Sequence, residues 1–376
     1  MRVLLVGNYE PDHQESMQRY ASWLEKILKA RGHQVALIKP CPFFSNLSSH
    51  PGLSKYLGYL DKFLIFPWHL RRLAKTFDLV HVLDHSNSMY LRVVRGKPNL
   101  ITCHDLLAIR AAQGEFSESP TGWSGKLLQR WILSGLRRAR HVLCVSTKTA
   151  NDLKALTGET GAHDRIVYNA INWNYQPGAP FPSGFASKLG LRAGQRYLLH
   201  VGSTSWYKNR PGVVRIFAQL ATMEEFSTTV LVMVGKAWGA ALRILIREEQ
   251  LSNRIVEAGS VSNEELQALY GNALALLFPS LEEGFGWPIL EAQACGCPVV
   301  TTGRPPMSEV AGDAAILIDP ENIPAAAALI ASGLQRREQL RADGFRNLAR
   351  FDQEVIADQY CSFYKAVLED GYATER

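Results

Sequence analysis

The stretch from Phe278 to Asp319, FPSLEEGFGWPILEAQACGCPVVTTGRPPMSEVAGDAAILID, leaves this chain few ways to fold. An apolar run, Leu274–Phe278, feeds it and reads as a buried parallel strand. A Pro-Ser turn and the carboxylates Glu282 and Glu283 come next. Gly284-Phe285-Gly286 then leads into Trp287-Pro288, a helix start with proline in its first turn. The helix is predicted over Pro288–Ala294, with Glu291 in its first turn, and a second strand over Pro298–Thr302. A glycine-rich loop therefore sits between a strand and a helix N-terminus. That geometry offers backbone N–H groups and a helix dipole to an anion. The acids at both ends disfavour a bare phosphate. They call for hydroxyl groups nearby, as on a sugar or a ribose.

At 376 residues the chain has room for two or three domains. A hydrophobic content of 47% permits a sizeable core. The net charge of +6 is compatible with anionic ligands or a membrane surface. The basic residues do not gather in one block interleaved with aromatics, so no nucleic-acid partner is expected. The six cysteines form no C-x-x-C pair, and Cys295-Gly-Cys297 is too tight for a zinc pair. They read as free thiols in a reducing compartment. The N-terminus, MRVLLVGNYEP, begins as a strand without the apolar core of a signal peptide. No run approaches the ~20 apolar residues of a transmembrane helix. A cytoplasmic location is expected.

Taken in order, the chain alternates strands with helices. Val3–Val6, a helix over Ser16–Arg31 and a strand over Val35–Ile38 open a βαβ pattern. The turn Gly7–Pro11 lacks a dinucleotide fingerprint. Tyr56–Lys75 reads as one or two helices containing FLIFPWHL, with Arg71, Arg72 and Lys75 at its end. Strands over Leu79–Leu83 and Leu100–Cys103 follow, the second ending at His104-Asp105. Carboxyl ends of strands line the ligand crevice in open α/β sheets, which gives His104 a place for chemistry. Ile109–Gly125 reads as a polar mobile loop. Next come a helix over Lys126–Arg138, a strand over Val142–Val145, a helix capped by Ser146 and a strand over Ile166–Tyr168. The Pro- and Gly-rich Gln176–Ser183 reads as a linker, after which the pattern restarts with Tyr197–Val201. Asp352–Leu368 is a final amphipathic helix. The fold class is α/β, with two doubly wound halves.

The second half resembles a known family. Gly259-Ser260-Val261, Tyr270, Phe278-Pro279-Ser280, EGFGWPILE from Glu283 to Glu291, Pro298-Val299-Val300 and Glu309-Val310 match in order. This pattern is similar to the retaining GT-B glycosyltransferases of the GT4 group. Weaker matches at His104-Asp105, Val145-Ser146, Val201-Gly202, Lys208-Asn209 and Val234–Lys236 extend the likeness over nearly the whole chain. The resemblance implies the GT-B fold, two Rossmann-like domains facing a central cleft. Residues 1–175 would form the acceptor domain and 176–351 the nucleotide-sugar domain. Residues 352–376 would be a helix crossing back to the first.

Residue by residue, the resemblance implies that Glu291 holds the ribose hydroxyls and Glu283 lies near the donor sugar. Backbone groups of Gly284, Phe285 and Gly286 would face sugar and phosphates, with Gly202 and Ser203 alongside. Lys208 would neutralise the diphosphate, and Ser260 and Val261 would meet the base. His104 would stand beside the donor sugar and the acceptor, giving His104, Lys208 and Glu283 as the catalytic set. Ser203 stands where many members have an arginine, and Arg210 reads as a solvated helix-start residue. Candidate acceptor contacts are Tyr9, His13, Gln14 and Glu15. The expected reaction moves a hexose from a nucleoside-diphosphate sugar to a glycan or lipid-linked hydroxyl with retention, without metal or other cofactor. FLIFPWHL with its basic end reads either as a peripheral contact on the inner membrane face or as a core helix. A GT-B sugar-nucleotide epimerase and a non-catalytic sugar-nucleotide partner subunit are the competing readings.

Overall fold

The computed structural model describes residues 1–47, 50–158, 163–171 and 173–373. The chain forms two compact units, Met1–Asn172 with Gln353–Arg376, and Trp173–Asp352.

In the first unit β1 (Arg2–Val6), α1 (Glu15–Ala30) and β2 (Gln34–Ile38) open the chain. A continuous helical run follows: α2 (Pro51–Leu60), a wide π turn over Asp61–Ile65, and α3 (Phe66–Ala74). Pro67 lacks an amide hydrogen, and the wide turn just before it absorbs that break. Then come β3 (Leu79–Val82), a 3-10 segment His85–Arg92, β4 (Asn99–Cys103), α4 (Leu107–Ala112), α5 (Trp123–Leu136), β5 (His141–Cys144), α6 (Thr147–Thr157) and β6 (His163–Ile166). The six strands are parallel in the order β2-β1-β3-β4-β5-β6. The apolar runs of the inner strands β1, β3, β4 and β5 are buried on both faces, as a parallel sheet between helices requires.

The second unit holds α7 (Phe185–Lys188), β7 (Tyr197–Val201), α8 (Arg210–Ala221), β8 (Val230–Val234), α9 (Ala240–Glu248), β9 (Ile255–Gly259) and α10 (Asn263–Asn272). It continues with β10 (Ala275–Phe278), α11 (Trp287–Ala294), β11 (Val299–Thr302), α12 (Met307–Ala311), β12 (Ala315–Ile318), α13 (Ile323–Leu334) and α14 (Arg337–Asn347). Its parallel order, β12-β11-β10-β7-β8-β9, is the Rossmann order. The last helix, α15 (Gln353–Ala373), belongs to the first unit.

Three local expectations are corrected. Ile109–Gly125 is not a plain loop, because α4 runs to Ala112 and α5 begins at Trp123. Arg110 on α4 pairs with Glu115 and Asp152, which fixes the chain there. The strand expected over Ile166–Tyr168 is His163–Ile166 instead. Gln176–Ser183 lies within the second unit, where Gln176 N–H donates to Gln267 Oε1 at 2.8 Å. All six cysteines are free, with Cys103 and Cys144 facing each other across β4 and β5. Among the described residues no helix is long and apolar enough to cross a membrane.

Candidate active site

In the second unit β7 and β10 lie side by side, and the chain winds outward from them in opposite directions. Such a switch point opens a crevice at the carboxyl ends of the strands. The loops leaving those two ends contain Gly202–Asn209 and Pro279–Gly286. Backbone and side-chain bonds stitch them together. Leu281 N–H donates to the Tyr207 carbonyl at 2.7 Å, and Asn209 Nδ2 donates to the Pro279 carbonyl at 3.1 Å. Asn209 is left-handed, at φ 52°, and its Oδ1 caps α8 by accepting from Gly212 N–H.

This stitching sets Lys208 Nζ 2.6 Å from Glu283 Oε1, with the two side chains only 15% and 10% exposed. The ring faces of Phe278 and Tyr207 stand 5.1 and 5.7 Å from the ammonium. An ammonium has three donors, so one bond to Glu283 leaves capacity for an anion. Beneath it lies His200, whose Nδ1–H donates to the Leu277 carbonyl at 3.0 Å. Burial first, then the nearby Arg210 and Lys208 charges, push His200 down to about 4. It is therefore neutral at pH 7 and adds no repulsion to Lys208. Gly202 is required here: a Cβ would come within 2.9 Å of His200 Nε2.

Arg210 is not the solvated residue that its helix-start position suggests. It is buried, and its guanidinium donates to the carbonyls of Gly202 at 2.6 Å and Lys236 at 2.8 Å. It ties together the loops after β7 and β8. Ser203 Oγ–H donates to Ser205 Oγ at 3.0 Å, so the two hydroxyls where a cation was expected bond to each other.

The glycine loop is fixed from its side chains. Phe285 is buried between the rings of Trp287 and Phe351, each with centroids 5.9 Å away. Gly286 takes φ 109° at the start of α11, a conformation that side chains rarely adopt. Glu291 is buried on α11, and one of its oxygens accepts from Tyr270 O–H at 2.9 Å. Burial and the Glu291 charge hold the Tyr270 phenol well above its ordinary range, so it stays a donor. Ser260 is exposed and Val261 half-buried where β9 leads into α10, the helix that carries Tyr270. A direct contact therefore joins Lys208 and Glu283, and Tyr270 joins Glu291 to α10. His200 was missed, and Tyr270 and Arg210 were seen without these roles, because only the packing brings their side chains to the site.

In the first unit the switch point falls between β1 and β3. Asn8 Nδ2 donates to Asp84 Oδ2 and to Gln14 Oε1, and Asn87 Nδ2 donates to Asn8 Oδ1 at 3.1 Å. Asp84 also accepts from Ser86 N–H at 2.8 Å, and His85 Nδ1 lies 3.2 Å from it. His104, one strand further, is buried, and its Nε2–H donates to the Leu83 carbonyl at 2.9 Å. That bond fixes the tautomer and leaves Nδ1 as a buried acceptor without a partner. Burial lowers the His104 pKa against the opposing pull of Asp84. His13 and Glu15 are exposed. Tyr9 differs from the expectation: it is buried, and its hydroxyl donates to Asp61 Oδ2 at 3.0 Å and lies 2.6 Å from Ser45 Oγ. It anchors the β1 loop to the π turn.

The fold defines a chain of two Rossmann-like units, the second with Lys208 and Glu283 paired at its switch point. Residues 185–345 match the family described as Glycosyl transferases group 1, and residues 17–174 match Glycosyltransferase Family 4. The chain belongs to this GT4-type group of GT-B glycosyltransferases. It is 31% identical over 247 residues to the O-antigen chain mannosyltransferase B of Escherichia coli, covering 64% of each chain. It is 26% identical over 205 residues to the O-antigen chain mannosyltransferase RfbU of Salmonella typhimurium, covering 54% of each. The chain thus spans less than two-thirds of the length of these relatives. Among solved structures, Anabaena Alr3699/HepE in complex with UDP and glucose aligns with a TM-score of 0.70 at 18% identity. The alignment covers 97% of this chain and 100% of that one.

Proposed function

We propose that this chain transfers a hexose, mannose or a close relative, from a nucleoside-diphosphate sugar to a hydroxyl group on a glycan or lipid-linked glycan. The observation that carries the reading is the Lys208–Glu283 pair at the β7/β10 switch point, with Tyr270-braced Glu291 on the helix that the glycine loop opens. Lys208 meets the charge that develops on the leaving diphosphate. Glu291 accepts from the ribose diol, and Glu283 reads the sugar hydroxyls. Mannose is favoured by the names of the two O-antigen relatives. The reaction runs with retention and without a metal ion. The anomeric carbon–phosphate bond breaks, the acceptor oxygen bonds on the same face, and its proton passes to the leaving phosphate. His104 Nδ1 accepts a hydrogen bond from the sugar or acceptor, with His13, Gln14 and Glu15 on the acceptor side.

The test is a panel of nucleoside-diphosphate sugars, followed through nucleoside-diphosphate release and product analysis. Lys208→Ala should cut turnover by about 100-fold or more while the fold is kept. Near-native turnover would remove the role of Lys208, and a β-linked product from an α-linked donor would remove retention. Turnover unchanged by EDTA is the expected result for a metal-free reaction.

A lipid-linked acceptor is supported by an apolar surface on the first unit. Tyr56, Leu64 and Trp68 on the Pro51–Ala74 run, and Trp123 and Leu127 on α5, are all more than half exposed. The two elements touch through Phe63 and Trp131, centroids 5.0 Å apart. Arg71, Arg72, Lys126 and Arg130 lie on the same helices. Aromatic side chains with basic neighbours suit an anionic lipid surface. The chain should float with phosphatidylglycerol vesicles, and Trp68→Ser with Trp123→Ser should weaken flotation several-fold. No flotation of the unaltered chain would sink the membrane contact.

A further inference from the structure

The first unit carries a second concave feature, at the opposite end of its sheet from His104. Asn99 and His141, the first residues of β4 and β5, form its floor. Arg92, Arg95 and Lys97 line it from the segment before β4, and Arg138 and Arg140 from the link between α5 and β5. The end of α15 closes it, with Asp370 the one carboxylate among the described residues that line it. The cavity measures about 840 Å³.

The charges do not cancel locally. Asp370 Oδ2 lies 3.1 Å from His141 Nε2. Among the described residues no ion pair joins any of the five cations to a carboxylate. Two of them are gathered by one hydroxyl: Ser134 Oγ accepts from Arg138 Nη1 at 2.9 Å and from Arg92 Nη2 at 3.5 Å. Ser134 sits in the last turn of α5, so the link after α5 and the end of the 3-10 segment bring these two guanidinium groups to one hydroxyl. Solvated surface arginines ordinarily spread apart, because like charges repel. Their convergence around a cavity is the arrangement that binds oxygens of a phosphoryl group, which the guanidinium fork fits in a bidentate manner.

We infer that this cavity is an anion site, separate from both switch-point sites, that takes a phosphate-bearing ligand of diphosphate or headgroup size. Among the described residues no Phe, Tyr or Trp ring lines it, and its one imidazole, His141, is only 7% exposed beside Asp370. It therefore offers no broad stacking platform for a base, and recognition runs through the phosphoryl charge. The ligand is either a soluble phosphate compound or the headgroup of an anionic lipid. The inference does not depend on the donor assignment.

The probe for the soluble source is inorganic pyrophosphate, titrated calorimetrically into the Lys208→Ala chain so that donor-site binding is suppressed. The probe for the lipid source is flotation with phosphatidylglycerol vesicles. Each is repeated with Arg138→Gln and Arg140→Gln together. Arg19→Gln with Lys26→Gln on α1 is the control, removing the same charge from elsewhere on the unit and away from the apolar surface. A tenfold or greater loss of pyrophosphate affinity in the 138/140 pair alone supports the site with a soluble ligand. A loss confined to vesicles, again in that pair alone, supports it with a headgroup. Equal losses in both pairs would mean diffuse attraction, and no loss in either would mean no site; both overturn the inference. All four positions are exposed, so the variants should fold, and Arg92→Gln with Arg95→Gln gives an independent second pair.

Discussion

Tyr270 shows how a single buried hydroxyl tunes the candidate donor site. It is fully enclosed, and its hydroxyl donates to Glu291. Tyr270→Phe removes that donor and leaves the carboxylate short of a hydrogen bond in a dry pocket. Bonds to charged groups contribute about 1.5–3 kcal/mol, so the KM for the sugar nucleotide should rise about tenfold or more. The turnover number should change much less, since the ribose is far from the reacting bond. An unchanged KM would remove Glu291 from ribose recognition. Gly235 offers a stability test of the same loop system. Its φ is +132°, and a Cβ would fall 2.1 Å from the Gly202 carbonyl oxygen, where Arg210 also bonds. Gly235→Ala should therefore cost more than about 3 kcal/mol, read by urea unfolding. At this scale the sequence exposed the residues whose chemistry is unusual for their setting. Glu283, Glu291 and Gly286 stood out because carboxylates and glycines around a helix start need a reason, and Lys208 entered only through the family resemblance. Tyr270 was visible as a motif match without a role, whereas His200 and Arg210 sit in strand and helix-start contexts that have ordinary explanations. Only the meeting of the loops after β7 and β8 buries Arg210.

Secondary elements were most legible where one pattern ran without competition. Tyr197–Val201 coincides with its expected bounds, and so does the end of the helix expected over Pro288–Ala294. The edge strand β6, His163–Ile166, was displaced because an edge strand can carry Asp164 and Arg165 and needs no apolar run. Short α4 was hidden by the polar residues after it. The last helix owes its seat to polar contacts that periodicity does not reveal. Thr102 Oγ1 lies 2.8 Å from His81 Nε2 and 3.0 Å from Tyr20 O–H. Tyr20 in turn meets Tyr360 at 2.8 Å, and His81 Nδ1 meets Tyr364 at 2.7 Å. All five side chains are buried, so α15 is bonded to the sheet through a closed network. Tyr364→Phe leaves one ring nitrogen of His81 unsatisfied, at about 1–3 kcal/mol. The thermal midpoint of the first unit should fall by several degrees, at roughly 2–4 °C per kcal/mol for a unit of this size. A shift below one degree would mean that the network does not hold α15.

Alternating strands and helices told of two parallel sheets, but not of their strand order. Yet strand order decides which loops meet, since the β7/β10 and β1/β3 switch points select them. Each unit also encloses histidines in its polar interior, and this gives the whole molecule a shared response to acid. Burial lowers His81 to about 3 in the first unit and His200 to about 4 in the second. His104 is lowered in the same direction. In the unfolded chain these groups take up protons near pH 6.5. Below that pH the unfolded state binds more protons than the folded one, so stability must fall as pH falls. Between pH 7 and pH 5 His81 and His200 should each remove about 2 kcal/mol from their own unit. The carboxylates held low, Asp78, Asp84 and Glu115, stay ionised in both states over this window and keep their contribution until more acidic pH. Urea unfolding at pH 7 and pH 5 should therefore show a clear loss of stability in both units. His200→Asn should flatten the response of the second unit while leaving that of the first. Equal stability at the two pH values would mean that these imidazoles are solvated or ion-paired, and the dry floor beneath Lys208 would have to be abandoned with them.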